Sequence, residues 1–506
     1  MKLEMRKKIE NILFLQKELH KEIDNLYRIG NHVLAIQLLT DCQQTAIDVG
    51  TLLENIEKEQ RIRSIVKYLE AYCDIIYQIG VKQVKIADVY DIINNLIDKV
   101  LLEIYEIPVT MKFLFLPYKA SMWTSLESVW KAAKDDPECE TVVMPIPYFK
   151  IGTQVKEAEL VYEGDDFPKY VPVVDWQNYS IQNEKPDAIF IHNPYDDWNS
   201  LTTVHPDFYS DRLKQYTDCL VYVPYFTMSG YKKGVSDCHY VNKGTVNADK
   251  VVVQSEFVKN IYKTYGYKED KLLALGSPKT DAVVNRLNET FEYPKEWKEK
   301  LRDKKVILLN THLSYFPTAV AHRNEKGVDY AQMYHEEILE AIKENKECGL
   351  IWRPHPLLFS MAENNCKECV DYIKSFAKRL IESDNCVMDD SADYMMAFSR
   401  SDAMITTYSS LINEYMITGK PVMIFQTKQT EEAASQAPMD YRVNYFRFLK
   451  DGGMCFSDFI KMVVSGVDPK REERRKMIYE RAFLNLDGTV GKKVYQEIKE
   501  HCNKMQ

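Results

Sequence analysis

Two short runs in this sequence carry the residue types of anion chemistry. The first is "IWRPHP", in which Arg353 and His355 follow an apolar run and are bracketed by Pro354 and Pro356. The prolines stop helix formation and stiffen the turn, so both side chains are held in place. A guanidinium presents a planar fork that matches a diphosphate, and an imidazole donates to a phosphate oxygen or exchanges a proton. The second run is "SDAMITTYSSLINEYMITGKPVMIF", residues 401–425, where an apolar strand ends on Thr406, Thr407 and Tyr408, and Ser409 and Ser410 open a helix. Backbone N–H groups and two hydroxyls converge at such a point, which suits a helix cap and equally a phosphate cradle. Glu414 falls roughly one helical turn further in, at a depth where a carboxylate accepts from ribose hydroxyls.

Three further strand ends carry polar groups. "LLNTHLSYF" places Thr311 and His312 where a hydroxyl and an imidazole reach a cleft, or simply form a turn. "FIHNPYDDWNS" places His192 and Asn193 ahead of Asp196 and Asp197, the composition of a general base beside carboxylates or of a polar turn. "YFTMSGYKKG" offers Thr227, Ser229 and the pair Lys232 and Lys233 to an anionic ligand, or to solvent. Cys366 and Cys369 have CxxC spacing but no second pair or nearby histidines, so they read as a helix start and no metal site is expected. The P-loop, the nucleophile elbow, HExxH and a complete GxGxxG after a strand are all missing. That argues against an NTPase, a serine hydrolase, a zinc protease and an ordinary dehydrogenase.

The elements that must position these groups follow from length and periodicity. A chain of 506 residues exceeds one ordinary core, and 45% hydrophobic with 28% charged residues describes a globular protein. A formal charge of −9 disfavours nucleic acid as a partner. The start lacks the pattern of a secretory signal, no run is apolar enough to span a bilayer, and the eleven cysteines are scattered, so a cytoplasmic protein is expected. Residues 1–106 repeat apolar positions at helical spacing and predict a bundle or arm of about four helices, suited to self-association. From residue 111 short apolar runs alternate with helices. Strands are predicted at 305–310, 349–352, 386–388, 402–406 and 421–425 in the later part. Two doubly wound α/β domains follow, 107–290 and 291–470, with terminal helices at 471–506 that cross back to the first. Ligands bind such sheets at the carboxyl ends of strands, here in the cleft between two lobes.

Four of these segments together resemble one family, the CDP-glycerol glycerophosphotransferases. "GSPKTD" is similar to its Gly-x-Pro-Arg-x-Asp motif, with Lys279 at the arginine position. "RPHP" resembles its Arg-x-His-Pro turn, the 401–425 run resembles its "ITDYSS" block with Thr407 at the aspartate position, and "DGTVGKK" resembles its terminal Asp-Gly helix. The resemblance covers about 250–500 and leaves the helical segment 1–106 outside. It implies the GT-B fold and transfer of glycerol phosphate, or a related alditol phosphate, from a CDP-linked donor to a hydroxyl of a lipid-linked or glycan acceptor, with release of CMP. It implies that Arg353, His355, Ser409 and Ser410 hold the diphosphate, with Glu414, Thr311, Thr407, Ser277 and Lys279 on the donor side. Thr227, Ser229, Lys232 and Lys233 fall on the acceptor side, where the family's Trp-His-Gly-Thr motif would align without its histidine; His192 or His312 is then the candidate base. No cofactor or metal beyond the nucleotide substrate is required by this chemistry, and peripheral attachment at the inner face of the membrane is expected. A UDP-sugar glycosyltransferase or 2-epimerase of the same fold, or a silent nucleotide-binding scaffold, are the alternatives.

Overall fold

Apolar residues at every third or fourth position, with no proline before Pro108, make the first hundred residues helical. The computed structural model describes residues 1–56, 60–151, 158–197, 202–231, 234, 237–311, 330–355, 358–359, 367–391, 393–407, 411–426, 437–448 and 452–504. Helices α1 (Leu3–Arg28), α2 (His32–Ile56), α3 (Gln60–Gly80) and α4 (Ile86–Tyr105) pack in chain order, and α1 closes against α4. Short turns leave antiparallel packing as the only way to bury the apolar stripes. The bundle has its own core around Leu13, Ile65, Tyr72 and Ile93. His20 is buried within it, 2.7 Å from the Tyr72 hydroxyl and 3.1 Å from Asn94 Oδ1. At its base Lys7 pairs with Asp218 at 2.9 Å, and Arg6 donates to Asn503 at 3.3 Å. No helix among the described residues is long and apolar enough to cross a membrane.

The next strands are β1 (Met111–Leu116), β2 (Cys139–Val143), β3 (Tyr148–Lys150), β4 (Glu159–Val161), β5 (Ala188–Ile191), β6 (Thr202–Val204), β7 (Cys219–Tyr222), β8 (Lys250–Val253) and β9 (Leu272–Ala274). Six of them form a parallel sheet in the order β2-β1-β5-β7-β8-β9, while β4-β3-β6 make a small antiparallel sheet beside it. Continuous apolar runs, rather than alternating ones, mark strands covered on both faces. Helix α5 (Thr124–Lys134) packs against this sheet through Leu126, Val129 and Trp130.

A second sheet is built from β10 (Lys305–Thr311), β11 (Cys348–Pro354), β12 (Cys386–Met388), β13 (Ala403–Thr406), β14 (Val422–Gln426), β15 (Tyr445–Phe448) and β16 (Gly452–Gly453). Its order is β12-β11-β10-β13-β14-β15-β16, parallel except for the last pair. β10 and β11 run past the expected 305–310 and 349–352 because their last, more polar residues still pair, Asn310 with Arg353 and Thr311 with Pro354. Strand order reverses between β10 and β13, where Asn310 also pairs with Thr406. This register sets Arg353, Asn310 and Thr406 side by side at the switch point, where doubly wound sheets take ligands.

The chain then returns to the first lobe. The final helix, Val490–Lys504, buries Val490, Val494, Tyr495 and Ile498 in the core that also holds Phe113 and Phe115. Its first turn is fixed by Asp281, whose two carboxylate oxygens accept from the N–H groups of Val490 (3.1 Å) and Gly491 (2.7 Å). A Cβ on Gly491 would lie 2.3 Å from the Ser128 backbone of α5, so only glycine allows this approach. Gly276 has φ +105°, and a Cβ there would sit 2.5 Å from the Leu484 carbonyl oxygen of the returning segment. Asp281→Ala is expected to lower stability by about 1–2 kcal/mol through two orphaned N–H groups, measured by urea denaturation.

Candidate functional site

The loop after β7 forms the seam between the lobes. Its conformation is set by Gln254, buried at the end of β8: the amide accepts from Met228 N–H (2.6 Å) and donates to the carbonyls of Met228 (3.1 Å) and Ala482 (2.9 Å). With the loop so held, Thr227 Oγ1 lies 3.5 Å from Asn413 Nδ2 of the second lobe, and the Ser229 carbonyl accepts from Met439 N–H at 3.1 Å. Tyr441 donates its hydroxyl to Asn413 Oδ1 at 2.5 Å and orients that amide. Gln254 and Asn413 were not singled out from sequence. Asn413 lay inside the 401–425 run, but only the seam gives it a partner.

Behind this contact two residues named from sequence meet. Lys279, in the first turn of helix Pro278–Leu287, places Nζ 2.6 Å from Oε1 of Glu414, in helix Leu411–Met416. Glu414 is 6% exposed, and the half-buried Tyr394 phenol lies beside the same carboxylate, its pKa raised by desolvation and then by Glu414. Ser277 occupies the N-cap position of the Lys279 helix and is buried, without a side-chain capping bond. Helix Leu411–Met416 has only 6 residues, so its dipole is small and the polar groups before it matter more. Ser409 and Ser410, with His312, Lys232 and Lys233, lie outside the described residues.

Other expectations change with the geometry. Arg353 does not leave its fork open toward a ligand: its terminal nitrogens pair with Asp389 at 2.5 Å and donate to the Ser391 carbonyl at 2.8 Å. An arginine at the end of a strand buried on both faces needs a counter-charge, and the end of β12 supplies it. The segment Asp389–Tyr394, missed in the sequence although its acidic run follows a strand, therefore links three elements. Asp389 and Ser391 hold Arg353, Asp393 accepts from Arg286 at 2.5 Å, and Tyr394 flanks Glu414. Thr311 turns away from the cleft, because alternation along β10 sends Ile307, Leu309 and Thr311 to the helix-covered face. Its hydroxyl lies 2.9 Å from His335 Nε2 and accepts from Trp352 Nε1 at 3.3 Å. On the opposite face Asn310 donates to the Arg353 carbonyl (3.0 Å) and accepts from Thr406 Oγ1 (3.3 Å), clamping three strand ends. His355 is half-buried beside this clamp, its N–H donating to the Thr311 carbonyl at 2.9 Å. Thr407 is buried, and its carbonyl, 2.7 Å from Thr406 Oγ1, shares that single hydroxyl proton with Asn310.

His192 is fully buried and has no carboxylate partner among the described residues. Nε2 accepts from Tyr118 N–H at 3.0 Å, and Nδ1 lies 2.9 Å from Ser125 Oγ. Burial pushes its pKa down to about 3, and its nitrogens serve the loop after β1 and the first turn of α5, so its role is structural rather than that of a base. Asp196 instead accepts from the N–H (3.0 Å) and hydroxyl (2.7 Å) of Ser210, and Asp197 pairs with Lys243 at 2.6 Å.

The model of the CDP-glycerol:poly(glycerophosphate) glycerophosphotransferase family matches residues 226–500, more than half of the chain. The chain belongs to this family. Among similar proteins, a teichoic acid poly(ribitol-phosphate) polymerase of Bacillus spizizenii is 23% identical over 260 residues, 51% of this chain and 38% of that protein. A teichoic acid glycerol-phosphate primase of Bacillus subtilis is 29% identical over 180 residues, 35% of this chain and 39% of that protein. The chain thus spans less than two fifths of the length of these relatives. The fold is also that of a Listeria monocytogenes protein provisionally assigned as a UDP-N-acetylglucosamine 2-epimerase, with TM-score 0.50, 15% identity, and coverage of 79% of this chain and 98% of that one. The family match and this likeness identify the two sheets as a GT-B fold.

Removing the counter-charge while leaving Arg353 in place, by Asp389→Asn, is expected to cost about 3 kcal/mol in denaturant unfolding. His192 binds its proton in the unfolded chain near pH 6.5 but in the fold only near 3, so stability falls as pH drops through that window. His192→Gln removes this component, and its acid unfolding curve should be shallower than that of the wild type between those values.

Proposed function

We propose that this chain transfers glycerol phosphate, or a closely related alditol phosphate, from a CDP-linked donor to a hydroxyl of a lipid-linked or glycan acceptor. The acceptor oxygen attacks the β-phosphorus, the bond from that phosphorus to the bridging oxygen breaks, and CMP leaves with the electron pair. The acceptor proton passes to a base, for which half-buried His355 is the candidate. The observation that carries this reading is the Lys279–Glu414 pair: two residues from separate family segments meet at 2.6 Å across the lobes, beside the switch point of the second sheet. Glu414 is set to accept from the ribose hydroxyls and Lys279 to offset charge on the diphosphate, with Ser409 and Ser410 as phosphate donors. Arg353 acts through Asp389 and Ser391, holding the segment that carries Tyr394 against Glu414.

The work is placed at the inner face of the membrane, with the protein attached peripherally to reach a lipid-linked acceptor. The likeness to an epimerase makes a UDP-sugar the competing donor. Release of CMP from CDP-glycerol or CDP-ribitol, with no turnover of UDP-N-acetylglucosamine, is the expected result; the reverse pattern overturns the assignment. His355→Ala should lower kcat about 10²–10⁴-fold, and Glu414→Gln should raise the donor KM about tenfold. Full activity in both variants would remove these residues from the site.

A further inference from the structure

The first sheet has its own switch point, between β1 and β5, the place at which doubly wound sheets take ligands, in the lobe opposite the donor residues. The chain leaving β1 there is Pro117-Tyr118-Lys119-Ala120, and it is fixed on both sides of the lysine. Tyr118 N–H donates to His192 Nε2 (3.0 Å), and Ala120 N–H donates to Glu163 Oε2 (2.9 Å). Lys119 is half-buried, with Nζ 5.2 Å from the centre of the Tyr118 ring and 5.1 Å from that of Tyr148. Desolvation holds its pKa below the usual lysine range. Among the described residues no carboxylate lies within ion-pair distance of this ammonium. Glu163, the carboxylate that acts on it electrostatically, already accepts from the Tyr148 hydroxyl at 2.5 Å as well as from Ala120, and Lys150 adds a second positive charge.

A cation removed from water and left against two aromatic faces recovers only part of its hydration, and an anion supplies the rest. Tyr118 and Tyr148, both buried, lie under the ammonium, and Tyr225 is edge-on to His192, the residue that holds Tyr118 N–H. We propose that Lys119 is the cation of an acceptor subsite, binding a phosphate carried by a polyol or glycan acceptor at the first-lobe switch point. This rests on the transfer reading above, and it gives the buried His192 a purpose, that of holding the Lys119 loop in shape.

The test is calorimetric titration of the full chain with a short glycerol phosphate oligomer and, separately, with CDP-glycerol. Lys119→Met keeps most of the aliphatic stem and removes the charge; Lys119→Arg keeps the charge. Lys119→Met should weaken oligomer binding about tenfold while Lys119→Arg stays within about threefold of wild type, and both should bind CDP-glycerol as the wild type does. Equal oligomer affinity in Lys119→Met and wild type overturns the subsite, as does a wild-type protein that does not bind the oligomer. Loss of CDP-glycerol binding in Lys119→Met overturns it too, because the phosphate recognised is then the donor's. Failure of the wild type to release CMP from any CDP-alditol counts against the transfer reading alone, since neither titration needs turnover.

Discussion

One helix, Pro278–Leu287, is held from three directions, and the relation of the two lobes depends on it. Lys279 reaches the second lobe at Glu414, Arg286 reaches it again at Asp393, and Asp281 faces the other way to receive the first turn of the terminal helix. The three contacts differ in kind. Arg286–Asp393 is about 40% exposed on both sides and adds little to stability. Lys279–Glu414 is mostly buried and fixes geometry more than it adds free energy. Asp281 satisfies N–H groups that would otherwise be orphaned in a packed interface.

Residues that mark the family likeness are therefore not all ligand groups. Gly276 and Gly491 are required by close backbone approach, Asp281 by the N–H groups it accepts from, and Arg353 is held by the counter-charge at the end of β12. The two departures also have physical sense. At position 279 a lysine delivers one point charge to one carboxylate oxygen, a contact that needs no planar fork. Position 407 is 4% exposed, and a threonine there avoids burying a carboxylate that would need its own cation.

The strand-and-helix alternation was legible because covered parallel strands must be apolar and must end in polar loops. The positions of Arg353, Asn310 and Thr406 at strand ends followed from that reading, and the observed register put them in one row. Side-chain direction was not legible. Thr311 and Asn310 are neighbours in sequence, yet the pleat sends one to a buried histidine and the other across the switch point. His192 offered the composition of a base, but its surroundings come from Tyr118 and Ser125, far away in the chain.

What the sequence determined alone was local and periodic: the helical arm, two doubly wound sheets, and the polar groups that each strand end can offer. Those follow from hydropathy and backbone sterics, which act over a few residues. The tertiary structure decided which of those groups meet. Lys279 finds Glu414, Thr227 finds Asn413, and Arg353 is drawn inward by Asp389, because lobe packing and burial select among partners that lie tens to hundreds of residues apart in the chain.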